Sequence, residues 1–330
     1  MKVVSPTVFL IACLATPLLV SSSSVTEKAL VLSFPLESGL PQKILALVAS
    51  LVYANILDRR LYMADKASLE YFKIEKYAGI LPAPQVPSLA FFSCQSEPDV
   101  EVLHIATDEY FVPALYLNPQ YSPKLLKKYP HFPIFKDIIR PLINQEHPVV
   151  LLLKPKYQQI VEFYNSDDVI GVILEKSDSF WLDVKHLHRC VPKKIIQVIS
   201  YQNQFHHLLQ EHYPRLLFSD TRQDDNLFFD LLFQATYAKA LYGFHNSATA
   251  QLVQAINGSP MVLVKNFDSE TSLCPRNSNP EPCYPHPLKQ FYHQCAEKLQ
   301  IEYNPYDLLP SLPFVENCRE QKDGFKLKIN

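Results

Sequence analysis

Three polar loops in this 330-residue chain have the composition to meet an anion: Glu37 to Lys43, Glu175 to Asp178 and Phe244 to Ala248. Each follows an apolar run that reads as a strand, and the carboxyl ends of strands are where α/β sheets bind ligands. Loops and helix N-termini present backbone N–H groups there. The first loop, Glu37-Ser38-Gly39-Leu40-Pro41-Gln42-Lys43, has one glycine and no Walker pattern. On local grounds it reads as an ordinary strand-to-helix turn with Pro41 at the first helical position. In the third loop, Ser247 offers a hydroxyl to a ligand or an N-cap to the helix behind it. His186 and His188 are spaced by two on a predicted helix, where they face apart, so they make a poor metal pair. His206, His207 and His212 read as a solvated helix face, and Phe228 to Phe233 as core packing. Asn257-Gly258-Ser259 is a glycosylation sequon weakened by Pro260.

These loops need a scaffold, and the apolar pattern predicts one. Ala29 to Phe34 reads as a buried parallel strand, Ile44 to Leu57 as a helix, Arg59 to Ala64 and Val100 to Ala106 as further strands. Tyr110 to Tyr129 reads as irregular, because Pro113, Pro119 and Pro123 interrupt any long helix. A boundary is expected between Pro148 and Asp168, where Val149 to Leu153 precedes a short helix, Tyr157 to Tyr164. A second unit then opens with the strand Val169 to Leu174. It continues through a helix at Lys185 to Lys194, a strand at Ile195 to Ser200, a helix at Phe205 to His212 and a strand at Leu216 to Ser219. Asn226 to Lys239 and Ala248 to Ile256 read as helices around a strand at Ala240 to Gly243, and Val262 to Lys265 is expected to end the sheet. The fold class predicted is α/β, with two Rossmann-like domains of parallel sheet covered by helices.

The composition fits a globular chain of that size: 48% of residues are hydrophobic. A formal net charge of -2 leaves no basic surplus for a phosphate backbone, so nucleic acid is excluded as a partner. Met1-Lys2 followed by apolar sequence from Val3 to Val20 reads as a signal peptide, with a short anchor as the alternative and the only expected contact with membrane. The remaining cysteines, Cys94, Cys190, Cys274, Cys283, Cys295 and Cys318, are even in number, which after an export signal suggests disulfides. Their pairing is not readable. No CxxC pair is present, and no metal is expected. The domains expected are a leader at 1–24, a Rossmann-like unit at 25–160, a second at 161–266 and a cysteine-rich tail at 267–330.

Longer stretches carry a resemblance. Gly39-Leu40-Pro41-Gln42-Lys43, the helix after it and Leu57-Asp58-Arg59-Arg60-Leu61 resemble the Gly-Leu-Gly-Asn-Arg loop, helix and strand of plant xyloglucan fucosyltransferases. Asp108-Glu109-Tyr110-Phe111-Val112-Pro113-Ala114-Leu115 is similar to that family's Asp-Asn-Tyr-Phe-Val-Pro-Ser-Leu segment. Cys274-Pro275-Arg276, then Glu281-Pro282-Cys283-Tyr284, then Cys318 and Gly324-Phe325-Lys326-Leu327 reproduce the spacing of its tail.

The resemblance implies a GT-B fold, GDP-fucose as donor, a galactose-containing glycan as acceptor, inversion, no metal or other cofactor, and a secretory or Golgi location in cell-wall synthesis. It draws a nucleotide-sugar site through Gly39, Leu40, Lys43, Glu175, Lys176, Ser200 and Ser247, the first unit being the acceptor side. The candidates for a base are Glu320, near the terminal cysteine, Glu37 and Asp108. Ile170-Gly171-Val172-Ile173-Leu174-Glu175 ends in glutamate where the family has a diphosphate-binding arginine. A carboxylate repels phosphate, with Lys43 and Lys176 as partial compensation. A second reading therefore stands beside the first: a catalytically silent protein that binds glycan or protein partners.

Overall fold

The computed structural model describes residues 28–64, 72–79, 99–118, 120–143, 170–174, 190, 197–200, 217–218, 231, 238, 240–244, 247–264, 274, 276–286, 315–318 and 324–328. A four-stranded parallel sheet is built from β1 (Ala29–Ser33), β2 (Arg60–Met63), β3 (Glu75–Lys76) and β4 (Val102–Ala106), in the order β3-β2-β1-β4. β1 is an unbroken apolar run up to Ser33, as a central parallel strand covered on both faces requires. Buried Arg59 donates to the carbonyls of Ala29 and Glu101, which ties the amino ends of β1 and β4 together.

Helix α1 (Leu40–Ile56) follows β1 and is buried over most of its circumference, because other helices surround it. Those neighbours are α2 (Val112–Leu117), α3 (Ser122–Lys128), α4 (Ile134–Leu142) and α5 (Ala248–Asn257). Tyr53 of α1 sets its ring edge-on to Phe111 and Tyr121 and shares a 3.2 Å hydroxyl contact with Tyr121.

The stretch from Tyr110 to Tyr129 corrects the sequence expectation. It holds α2 and α3, each with its proline in the first turn, where the missing N–H has no helical partner to lose. Helix α4 was not expected at all; Pro141 falls in its last turn.

The second sheet has six strands in the order β10-β9-β8-β5-β6-β7. β5 (Ile170–Leu174), β6 (Gln197–Ser200), β7 (Leu217–Phe218), β8 (Ala240–Phe244) and β9 (Met261–Val264) are parallel. β10 (Arg276–Asn277) joins β9 antiparallel, so the sheet does not end at Val262 to Lys265 as expected but takes an edge strand from the tail. The boundary segment from Pro148 to Asp168 lies outside the described residues. So do the helices expected between Lys185 and Lys239, apart from single residues within them.

Helix α5 packs closely on its own sheet. A Cβ on Gly243 would stand 2.7 Å from Ala250 Cβ and 2.9 Å from Met261 Sδ, so only glycine lets β8 and α5 approach this far. Gly258, at φ 79°, ends the helix in the left-handed conformation.

A hairpin of β11 (Val315–Asn317) and β12 (Phe325–Leu327) completes the tail. One hydrophobic cluster runs from Leu30 and Leu32 of β1 through α1, α4 and α5 to Leu263 of β9 and Phe325 of β12. Among the described residues no helix is long and apolar enough to cross a membrane.

Candidate functional site

The carboxyl edges of the two sheets are where chemistry can gather. At the first edge, β1 leads into the turn containing Glu37, Ser38 and Gly39, and β4 leads into Thr107, Asp108 and Glu109. Ser38 Oγ donates to Asp108 Oδ2 at 2.9 Å, so the two loops are joined. Glu37 is exposed and makes no such contact among the described residues. Gly39 is the N-cap of α1 and offers no side-chain cap, and the first turn contains no acid. The partial positive charge of this helix end is therefore unopposed by its own residues. Leu40 is buried in the core, so it can meet a ligand only through its backbone, while Lys43 is half-buried.

At the second edge, Leu174 and Ser200 stand opposite each other in the register of β5 and β6, and Gly243 pairs with Ile173. Ser200 is thus at the expected level. Ser247 Oγ accepts from the N–H of Ala250 at 2.9 Å and is buried, so its hydroxyl caps α5. Glu175, Lys176 and Glu320 lie outside the described residues.

The tail brings groups that were not singled out from sequence. Glu281, fully buried, accepts from the N–H groups of Ile134, at 2.8 Å, and Phe135, and from the Tyr110 hydroxyl. It thereby caps the amino end of α4 from 147 residues away in sequence. Burial pushes its carboxyl up to about 7, against the lowering effect of those donors and of Lys326. Lys326, also fully buried, donates to Asn277 Oδ1 and the Asn279 carbonyl, each at 3.0 Å. Asn277 donates its side-chain amide to Gln254 Oε1 of α5, Gln254 donates its own to the Asn277 carbonyl, and Asn279 donates to Glu316 and to the Leu327 carbonyl.

Disulfides join Cys190 to Cys274 and Cys283 to Cys318; Cys94 and Cys295 lie outside the described residues. The sequon residue Asn257 donates its amide to the Ala238 carbonyl. Among the described residues no cluster of three or more His, Cys, Asp or Glu could hold a metal.

No protein-family model matches this sequence, and no curated protein matches it. Among solved structures, an Arabidopsis thaliana FUT1 mutant in complex with GDP matches with a TM-score of 0.71 at 17% identity. The match covers 93% of this chain and 85% of that one. The chain has the fold of FUT1. That makes it a GT-B architecture, two Rossmann-like halves of parallel sheet, as the strand orders above describe.

Two NodZ fucosyltransferase structures are more distant. One, an α-1,6-fucosyltransferase soaked with GDP-fucose, has 12% identity over 77% of this chain and 100% of that chain. The other, from Bradyrhizobium, has 13% identity over 77% and 99%. Both have a TM-score of 0.47, too low to place elements by.

Proposed function

We propose that this chain is a fucosyltransferase-like glycosyltransferase. It takes its sugar from GDP-fucose, transfers it with inversion to a galactose-containing glycan and uses no metal. The observation that carries this reading is the match to FUT1 over 93% of the chain, in a structure that holds GDP. The tail residues Glu281, Cys283 and Lys326 that resemble the fucosyltransferase pattern are built into the fold rather than left on its surface, which supports the same reading.

In chemical terms, a departing diphosphate needs positive potential and donors. The amino end of α1, with backbone N–H groups after Gly39 and the Lys43 ammonium one turn in, offers both. Ser200, at the end of β6, and Lys176, beyond the end of β5, would extend that site on the nucleotide side. Two disulfides fit a protein of the secretory pathway, where such bonds persist. A second reading, a silent protein of the same fold, is favoured by Glu175 at the position of the resembling arginine.

Calorimetric titration of GDP into the purified protein separates these readings. Micromolar binding, together with transfer or hydrolysis of GDP-fucose, is the expected result. Absence of GDP binding would overturn the transferase.

A further inference from the structure

His286 belongs to the tail and Glu109 to the loop after β4, 177 residues away. Even so, His286 Nε2 lies 2.9 Å and 3.0 Å from the two carboxylate oxygens of Glu109. The Tyr284 ring leans on the imidazole, 4.8 Å between centroids. Side-chain exposures are 37% for His286 and 34% for Glu109, so the pair is open to solvent on one side. A carboxylate held on Nε2 fixes the tautomer that donates there and leaves the lone pair on Nδ1. Nδ1 has no hydrogen-bond partner among the described residues.

A histidine oriented by a carboxylate on one nitrogen and open on the other is the arrangement of a general base. The pair also stands at the right edge of the sheet. Glu109 follows Asp108, which Ser38 joins to the turn before α1, and this carboxyl edge is where an α/β fold receives ligands. As a mere tie for the tail the pair would add little, because half-exposed ion pairs contribute little in water. The Cys283–Cys318 disulfide and buried Glu281 already hold the segment.

We propose that His286 is the general base of the transfer reaction and Glu109 its orienting partner, acting on the hydroxyl of a sugar acceptor. The proposal rests on the transferase reading above. Nδ1 takes the proton of the acceptor hydroxyl as that oxygen bonds to the anomeric carbon of the donor sugar. The bond from that carbon to the β-phosphate oxygen breaks, and its electron pair leaves with GDP.

The base must be neutral to act. Among the described residues, Glu109 from the β4 loop is the charged group facing it, and Tyr284 is the ring against it. The Glu109 hydrogen bond and charge hold the imidazole above its ordinary pKa of 6.5, with partial burial opposing them. Turnover therefore rises with pH through a value above 6.5.

The test compares the full-length protein with His286→Gln and Glu109→Gln. Three readouts serve: GDP affinity by calorimetry, transfer from GDP-fucose to galactose-terminated oligosaccharides and to water, and imidazole titration by NMR. His286→Gln should keep GDP affinity, which also reports correct folding, and lose turnover by about 100-fold or more. Glu109→Gln should move the imidazole titration and the acid limb of turnover down together. Unchanged turnover in His286→Gln, or an ordinary imidazole titration in the unaltered protein, would overturn the dyad alone. Failure of the unaltered protein to bind GDP would overturn the transferase reading as well. GDP binding with transfer to neither glycan nor water would overturn the base while sparing the nucleotide site.

Discussion

Glu281 is an acid enclosed by protein on every side, and its proton decides how it contributes. The unfolded carboxyl ionises near 4.5 and the folded one near 7, so between these values the folded state holds the extra proton. Stability from this group is complete below pH 4.5 and is lost as pH rises to about 7, by a total of about 3 kcal/mol. The expected outcome is that the unfolding free energy of the natural protein minus that of Glu281→Gln falls across this window, measured by urea denaturation at several pH values. A flat difference would refute the shift.

The same residue shows what sequence can and cannot reveal. Glu281-Pro282-Cys283 was legible as a motif, but a carboxylate in a motif looks exposed until the helix it caps is seen 147 residues away. His286 was overlooked for a similar reason. Its only local signal is its place two residues beyond Tyr284, whereas its meaning lies in a contact with Glu109. Sequence offers Glu320, near the terminal cysteine, and Glu37 and Asp108, in loops after strands, as candidates for a base and decides among none of them. Asp108 is joined to Ser38, while Glu37 is exposed.

At the scale of elements, the strands were the most readable parts, since β1, β5 and β8 are apolar runs bounded by polar turns. Helices were readable where their apolar face was long, as in α1 and α5. They were missed where proline is abundant, because proline forbids a helix only beyond its first turn, and α2 and α3 both begin on one. β10 was missed because two residues carry no periodicity.

Helix α5 offers a direct test of one ambiguous residue. Ser247→Ala removes the acceptor for the Ala250 N–H and should cost about 1 kcal/mol of stability, read by chemical denaturation. Because the hydroxyl is buried in that cap, GDP affinity should not change. A large drop in affinity with unchanged stability would return Ser247 to the nucleotide site.

At the scale of the molecule, the two sheets share one core, and the tail closes over α4 and α5. The disulfides enclose stretches of 84 and 35 residues, so breaking either should cost about 2–5 kcal/mol by freeing the unfolded chain. Reduction of the intact protein should lower its thermal midpoint, and Cys283→Ser should lower it without reductant. An unchanged midpoint would mean that neither bond constrains unfolding. The parallel sheets and their helices were legible in the alternation of the sequence, whereas the way the tail locks them was not, because each lock is a pairing of distant residues.

Buried Lys326 has a consequence for how the protein is made. Its ammonium binds Asn277 and Asn279 from 49 and 47 residues downstream, and the strand that carries it lies at the heart of the tail. A nascent chain that has extruded both Rossmann-like halves still lacks this cation, so Asn277 Oδ1 and the Asn279 carbonyl are left without their lysine donor. A chain stopped before Val315 should therefore remain bound to chaperones instead of accumulating as a soluble half-product.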